Sequence, residues 1–469
     1  MTRINVRHIR FWILFLFFVR LYGIWFPPLE VEHNWRQTTV AMVARNFLEV
    51  DNNILYPRVD MAGTLTGITG MEFPLLNYLI YTMAKVFGYQ HWYGRLIVLL
   101  VSSLGSWYFY KLVKSQFSEK VAFIAVFSLL FSLWLAYSRK IMPDTFATSL
   151  AIIGLYYGFD YLKSMKWTSL GLYFVFGLVG LLSKLPVVFL FVYLIFPFIK
   201  LKSFSREQLL FFFVSLIMFL PVIWWYFVWT PYLTEHFGFW HFFMGKDFSL
   251  GIKETWLGIN EVLERLFYTP LGISGLVLLI ISLAYFMFKK EWKPVLVYLL
   301  GLIAFVILVV FKAGWTFHHH NYYILAYVPV FLIPIACFID RLPKNYFLFL
   351  LLVISVEGVS RQFHEFRIKE ESAKFLALEK DLDVFFTKKD LIIINSGNYP
   401  TPLYFSHRKG ITLTNNQICA FISTPKFSQK GYKGLVILKK VFGTDTLINY
   451  PKVFDSPDYS IYKFDLTDD

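Results

Sequence analysis

Long apolar runs dominate this chain, and short basic clusters separate them. A hydrocarbon core of ~30 Å takes ~20 apolar residues per helix, and about eleven runs approach that length. They lie at 10–28, 92–112, 121–138, 145–162, 168–183, 185–200, 208–229, 270–288, 294–311, 322–340 and 345–358. The run 73–88 (FPLLNYLIYTMAKVFG) is shorter, opens at Phe73-Pro74 and carries Asn77 and Lys85, which predicts an interfacial or re-entrant helix. The pattern changes after the last run. Residues 366–388, rich in Lys and Glu, predict an amphipathic helix. Short β-type runs follow at Leu391–Asn395, Leu403–Phe405, Leu435–Lys439 and Tyr459–Phe464. The expected architecture is an all-α polytopic membrane domain over 1–359, with outer loops at 29–91 and 230–269. A small C-terminal α/β extracytoplasmic domain is expected over 360–469.

Composition narrows the class. The 469 residues are 57% hydrophobic, 20% aromatic and only 16% charged, whereas soluble domains carry roughly 25% charged residues. A water-soluble enzyme, a disordered chain and a nucleic-acid binder are excluded on that ground. The net charge of +14 is spread over clusters between the runs, where orientation signals belong. With the N-terminus inside, the inner clusters are Arg3/Arg7/Arg10, Lys111/Lys114/Lys120, Lys163/Lys166, Lys200/Lys202/Arg206, Lys289/Lys290/Lys293 and Arg341/Lys344. All of them share one side only if 73–88 does not cross. This predicts a cytoplasmic N-terminus in a bacterial inner (plasma) membrane, with both long loops and the tail periplasmic. The first run lacks a small-residue cleavage site and is expected to be a retained span. Cys337 and Cys419 suggest neither a disulfide framework nor a metal pattern. No glycine-rich phosphate loop is present.

Candidate chemistry collects at the outer ends of the runs, since little beyond Arg20 and Asp160 is ionisable inside them. The outer ends supply Glu30-Val31-Glu32-His33-Asn34-Trp35-Arg36-Gln37, Arg139 through Asp144, Ser183-Lys184-Leu185-Pro186, and His318 through Tyr323. Glu30, Glu32 or Asp144 can take a proton from an attacking hydroxyl. Arg139, Lys184 and the histidines can hold an anionic group at headgroup depth. A carboxylate base beside a phosphate clamp suits transfer from a lipid phosphate. Asp144 follows Pro143 and can also cap the next helix; its site roles are to orient the acceptor or to hold a divalent cation. Arg36 and Gln37 can bind donor or acceptor, or pair internally with a loop acid. Trp35, Tyr322 and Tyr323 can stack on sugar or simply form an interfacial belt. Three consecutive imidazoles do not readily converge on one ion, so His320 reads as a hydrogen-bond partner of the donor and no protein metal site is assigned. The stretch 252–267 reads as a helix lying flat on the membrane as a lid.

The stretch from Glu32 through Gly88 resembles the first outer loop of GT-C-fold glycosyltransferases, in particular dolichyl-phosphate-mannose protein mannosyltransferases and bacterial aminoarabinose transferases acting on lipid A. The resemblance rests on the acid after the first span, Ala44-Arg45-Asn46-Phe47, and Glu72-Phe73-Pro74-Leu75 leading into an interfacial helix. Arg139…Pro143-Asp144, Leu182-Ser183-Lys184 with Pro186, and His320-Asn321-Tyr322-Tyr323…Pro329 are similar to later elements of that family. It covers roughly the first 340 residues, and the order of the motifs carries it. It implies a GT-C-type fold and inverting transfer from a polyprenyl-phosphate sugar to a lipid, protein or glycan acceptor, among membrane lipids and without nucleic acid. It also implies a first-loop carboxylate base, here Glu32. Many relatives have an Asp-Glu pair where this chain has Glu32-His33, which leaves Glu30 in contention. A lipid-linked oligosaccharide ligase or polymerase, or a flippase of lipid-linked glycans, are the rival readings.

Overall fold

The computed structural model describes residues 8–198, 205–424, 427, 431–440, 442 and 449–464. Arg3, Arg7, Lys200 and Lys202 of the basic clusters lie outside them, as does the end of the run 185–200. The bundle begins with α1 (Ile9–Arg20), α2 (Asn34–Glu49), α3 (Leu75–Phe87), α4 (Trp92–Gln116), α5 (Glu119–Leu130), α6 (Trp134–Tyr137), α7 (Pro143–Ser164), α8 (Trp167–Ser183) and α9 (Arg206–Trp224). Further helices follow at Gly272–Phe288, Trp292–Phe305, Val328–Asp340 and Lys344–Gln362, so the last one runs past the expected boundary at 359.

Among the described residues, four continuous helices are long and apolar enough to cross a membrane: Trp92–Gln116, Arg206–His236, Trp292–Ala313 and Lys344–Phe366. Of the other expected runs, 145–162 lies in the unbroken 22-residue α7, which is less apolar, and the rest are helical but shorter or broken. The run 121–138 splits between α5 and α6, where the Ser132 hydroxyl accepts the Trp134 N–H and the Leu133 N–H turns to the Pro270 carbonyl. Leu185–Phe198 is wound as a 3₁₀ helix of 14 residues; at ~2.0 Å rise per residue such a segment reaches about 28 Å. α3 has 13 residues, about 20 Å at 1.5 Å per residue, which is short of a crossing. The 252–267 stretch is helical in pieces, and Ile259–Tyr268 meets Gly272–Phe288 at 85°.

The tail carries a five-stranded sheet of β1 (Leu391–Ile394), β2 (Gly410–Thr412), β3 (Tyr432–Leu438), β4 (Lys452–Asp455) and β5 (Tyr459–Lys463), in the order β2-β1-β3-β5-β4. β1 pairs in parallel with β2 and β3, and β5 is antiparallel to β3 and β4. Two expectations are corrected here. Leu403–Phe405 lies in a helix, Thr401–Ser406, because Pro402 fits a first turn and cannot donate to a strand ladder. The amphipathic stretch 366–388 breaks into Glu370–Ala373, Lys374–Ala377 and Leu378–Asp383.

The sheet is not an appendage. Ile392, Ile394, Val436, Leu438 and Ile461 share one buried cluster with Met42, Val43 and Phe47 of α2 and with Met71. α2 is thereby sandwiched between bundle and sheet, and its polar residues are buried with partners. Thr38 meets Thr401 at 3.0 Å, Asn34 accepts from the Tyr399 hydroxyl at 2.5 Å, and Arg45 donates to Asp60 and to the Tyr404 carbonyl. A polar helix buried on all sides is stable only because these groups are paired. That rigid floor holds the residues of its first turn.

Candidate active site

Glu30 and Glu32 leave the first helical run in opposite environments. The Glu30 side chain is 1% exposed. Its carboxylate lies 3.3 Å from both Arg95 Nε and Arg139 Nη2 and accepts from Gln37 Nε2 at 3.0 Å. Burial alone would raise the Glu30 carboxyl, but Arg95, Arg139 and Lys140 outweigh it and hold it below the usual carboxylate range. Arg139 also donates to the carbonyls of Tyr22 (2.7 Å) and Gly23 (3.0 Å), while Gln37 Oε1 accepts the Ile141 N–H at 3.1 Å. Glu30, Gln37 and Arg139 are therefore not brought to an open site. They lock the exit of the first run to α4 and to the turn before α7.

Glu32 stands free of that clamp. Its side chain is 40% exposed. The carboxylate accepts from Asn321 Nδ2 at 2.8 Å and from the Tyr137 hydroxyl at 3.1 Å. Burial pushes its carboxyl up, but the Asn321 hydrogen bond, with His33 and Lys140 nearby, leaves it below its ordinary value. His33 follows in the left-handed conformation (φ 55°, ψ 30°), a strained choice for a non-glycine residue. Its Nε2 bonds Asn321 Oδ1 at 2.9 Å. Burial pushes this imidazole down to about 4, and Lys140 adds to the effect. It is neutral near pH 7, so its 3.9 Å approach to Glu32 is not an ion pair there.

Beside this niche lies a cavity of about 420 Å³ whose wall includes Trp35, Arg36, Glu72, Lys184, His320 and Tyr322. Lys184 pairs with Asp144 at 3.5 Å and lies over the rings of Tyr322 (5.7 Å) and Tyr323 (5.5 Å). Arg36 pairs with Glu72. Two cations and two carboxylates thus form a compensated group that a phosphate could enter by drawing on Lys184 and Arg36. His320 stacks on Tyr322 at 5.2 Å and meets Trp35 at 5.4 Å; burial pushes it down to about 4, so it offers a neutral ring. Glu32 is not in the cavity wall. His33 joins the two parts, with its ring 4.9 Å from Tyr322 and 5.7 Å from His320.

His318 and His320 face different surroundings. His318 packs against Gly258, where an added Cβ would lie 2.0 Å from the ring, while His320 faces the cavity. Carboxylate or imidazole atoms of Glu32, His364 and Glu365 come within 4.8 Å of one another. They do not fit a divalent ion, because Lys140 Nζ already sits 2.5 Å from Glu365. Glu72, Tyr137, Asn321 and Glu365 were given no role by the sequence. Glu72 and Asn321 stand inside the motifs that carry the resemblance, whereas Glu365 lies seven residues past the last apolar run, where no local signal marks it.

The comparisons with known proteins bear on the fold. Residues 72–225 match the family model of dolichyl-phosphate-mannose-protein mannosyltransferase. ArnT from Cupriavidus metallidurans bound to undecaprenyl phosphate superposes with a TM-score of 0.59 at 12% identity, over 97% of each chain. The chain has the GT-C fold. The apo form of the same ArnT gives 0.59 at 13% identity, over 96% of this chain and 97% of that one. The apo oligosaccharyltransferase from Archaeoglobus fulgidus gives 0.54 at 12% identity, over 93% of this GT-C chain and 70% of that one. No curated protein matches the sequence.

Proposed function

We propose that this GT-C protein is an inverting membrane glycosyltransferase that moves a sugar from a polyprenyl-phosphate donor to a lipid, protein or glycan acceptor on the periplasmic face. The observation that carries the reading is the convergence of Glu32, held by Asn321 and Tyr137, with a cavity that carries Lys184, Arg36 and stacked aromatic rings. The match to an undecaprenyl-phosphate-bound ArnT supports a polyprenyl-linked donor.

In this reading the donor phosphate takes Lys184 and Arg36, and the sugar lies along Trp35, His320 and Tyr322. Glu32 removes the proton from the acceptor hydroxyl or amine as that atom bonds to the anomeric carbon. The bond from the anomeric carbon to the phosphate oxygen breaks, and polyprenyl phosphate leaves with its added negative charge on Lys184. Asp144 holds Lys184 in place before the donor arrives. The test is to reconstitute the protein in lipid with a panel of polyprenyl-phosphate sugars and to identify the released carrier. Release of polyprenyl phosphate matched by glycosylated acceptor supports the reading. Turnover only with diphosphate-linked oligosaccharides would move the protein to the ligase class, and carrier crossing the bilayer without bond cleavage would make it a flippase.

A further inference from the structure

Two buried charges near Glu32 have no part in the mechanism above. Lys140 is 1% exposed and Glu365 3%, and Lys140 Nζ lies 2.5 Å from Glu365 Oε2. The same ammonium donates to the Glu32 carbonyl at 2.8 Å, so it grips the backbone of the residue assigned as base. Glu365 belongs to the turn Phe363–Phe366, the connector between the last membrane helix and the sheet domain. Its carboxylate stands within 4.8 Å of the Glu32 carboxylate. The half-exposed His364 touches Glu365 at 3.1 Å. The connector also reaches the loop's other anchor, since Arg139 lies over the Phe366 ring at 4.7 Å.

We propose that Lys140 and Glu365 form a positioning pair for Glu32, with Lys140 fixing its backbone and the two opposite charges together setting the field at its carboxylate. The inference rests on Glu32 being the base. Burying an ion pair costs solvation that a single surface residue would avoid, and here the pair lies beside Glu32, whose side chain stays 40% exposed while that of Glu30 is 1% exposed. The groups facing Glu32 are His33 on its own loop, Tyr137 and Lys140 from the segment before α7, Asn321 from the turn after His320, and His364 and Glu365 from the connector. Among them Lys140 and Glu365 form the buried ion pair. At such separations in a partly buried site each has a substantial effect on a carboxylate.

The pair makes a prediction with two opposite signs. The acidic limb of kcat/KM against pH reports the free enzyme's base. In Glu365→Gln the Lys140 charge is left uncompensated, the Glu32 anion is favoured, and the limb moves to lower pH with a lower plateau. In Lys140→Met the Glu365 charge is left uncompensated, and the limb moves to higher pH. Shifts of about half a unit or more are expected for interactions of this kind. Lys140→Arg keeps the charge and should hold the limb near its original place. The double variant K140M/E365Q removes both charges and should return the limb toward its original place, which keeps the test available if K140M alone fails to fold. A limb unmoved in E365Q, with activity lost in proportion to folded protein, would reduce the pair to a structural strut and overturn the proposal, as would a double variant whose limb stays as far displaced as in E365Q. Shifts in the same direction would overturn it as well. If Glu32→Gln is fully active, the assignment of the base has failed first, and that outcome is distinct from either of these.

Discussion

Glu30 and Glu32 are two residues apart and chemically identical, yet the fold gives them opposite tasks. Glu30 sits between two guanidinium groups and a glutamine amide with its side chain 1% exposed. Glu32 is held by one amide and one hydroxyl and remains 40% exposed. A carboxylate locked between arginines is a poor base, because taking a proton would strand two buried cations. A carboxylate held by neutral donors can take a proton and keep its place. The difference lies in the partners, which come from α4 and the turn before α7 for Glu30 and from residues 137 and 321 for Glu32.

The contrast can be broken in several ways. The largest effect is expected for Glu32→Gln, which removes general-base help typically worth ~10²–10⁴ in rate; turnover should fall by that factor while membrane insertion and thermal unfolding stay near the original. Glu30→Gln should do the reverse. Removing one partner of a buried pair costs about 3–5 kcal/mol, so unfolding in detergent should shift strongly, while turnover per folded molecule changes only a few-fold. Lys184→Ala sharpens the donor half of the site. A hydrogen bond to a charged group contributes ~1.5–3 kcal/mol, so donor affinity should drop by tenfold or more, and an unchanged affinity would make Lys184 a membrane anchor.

Acid should weaken the site before it weakens the bundle. His33 and His320 are both held near 4, against an ordinary value of 6.5. Between those values the unfolded chain binds protons that the folded one does not, so stability from these rings is complete above about 6.5 and is lost as pH falls toward 4. The unfolding temperature should therefore decline across that window, and substitution of both rings by Gln should flatten the decline. The smallest effect is expected from a chelator. Asp144 and Glu365 already hold lysines at 3.5 and 2.5 Å, so EDTA should leave turnover within a factor of two, as measured by carrier release.

The helical bundle was legible because apolar runs are local signals. Three of the five strands were legible for the same reason, since LIIIN, LVILK and YSIYKF are dense in β-branched or aromatic residues. β2 and β4 are short edge strands with little apolar content to announce them. The site was legible in its parts and not in its pairings. Lys184, Asp144, Arg36, His320 and the two tyrosines, each marked by a local motif, come together in space. That Glu30, Gln37 and Arg139 form a clamp depends on Arg95, far along the chain, and no local pattern encodes that contact. Glu365 was hidden for a related reason, because its meaning depends on Lys140, more than two hundred residues earlier.

The most direct measurement follows carrier release and sugar capture together in reconstituted membranes, for the original protein and for Glu32→Gln and Glu30→Gln. The account predicts one polyprenyl phosphate released per sugar transferred in the original and in the folded fraction of Glu30→Gln, and a loss of both signals in Glu32→Gln. Equal turnover in Glu32→Gln, or no release from any polyprenyl-phosphate sugar, would contradict it.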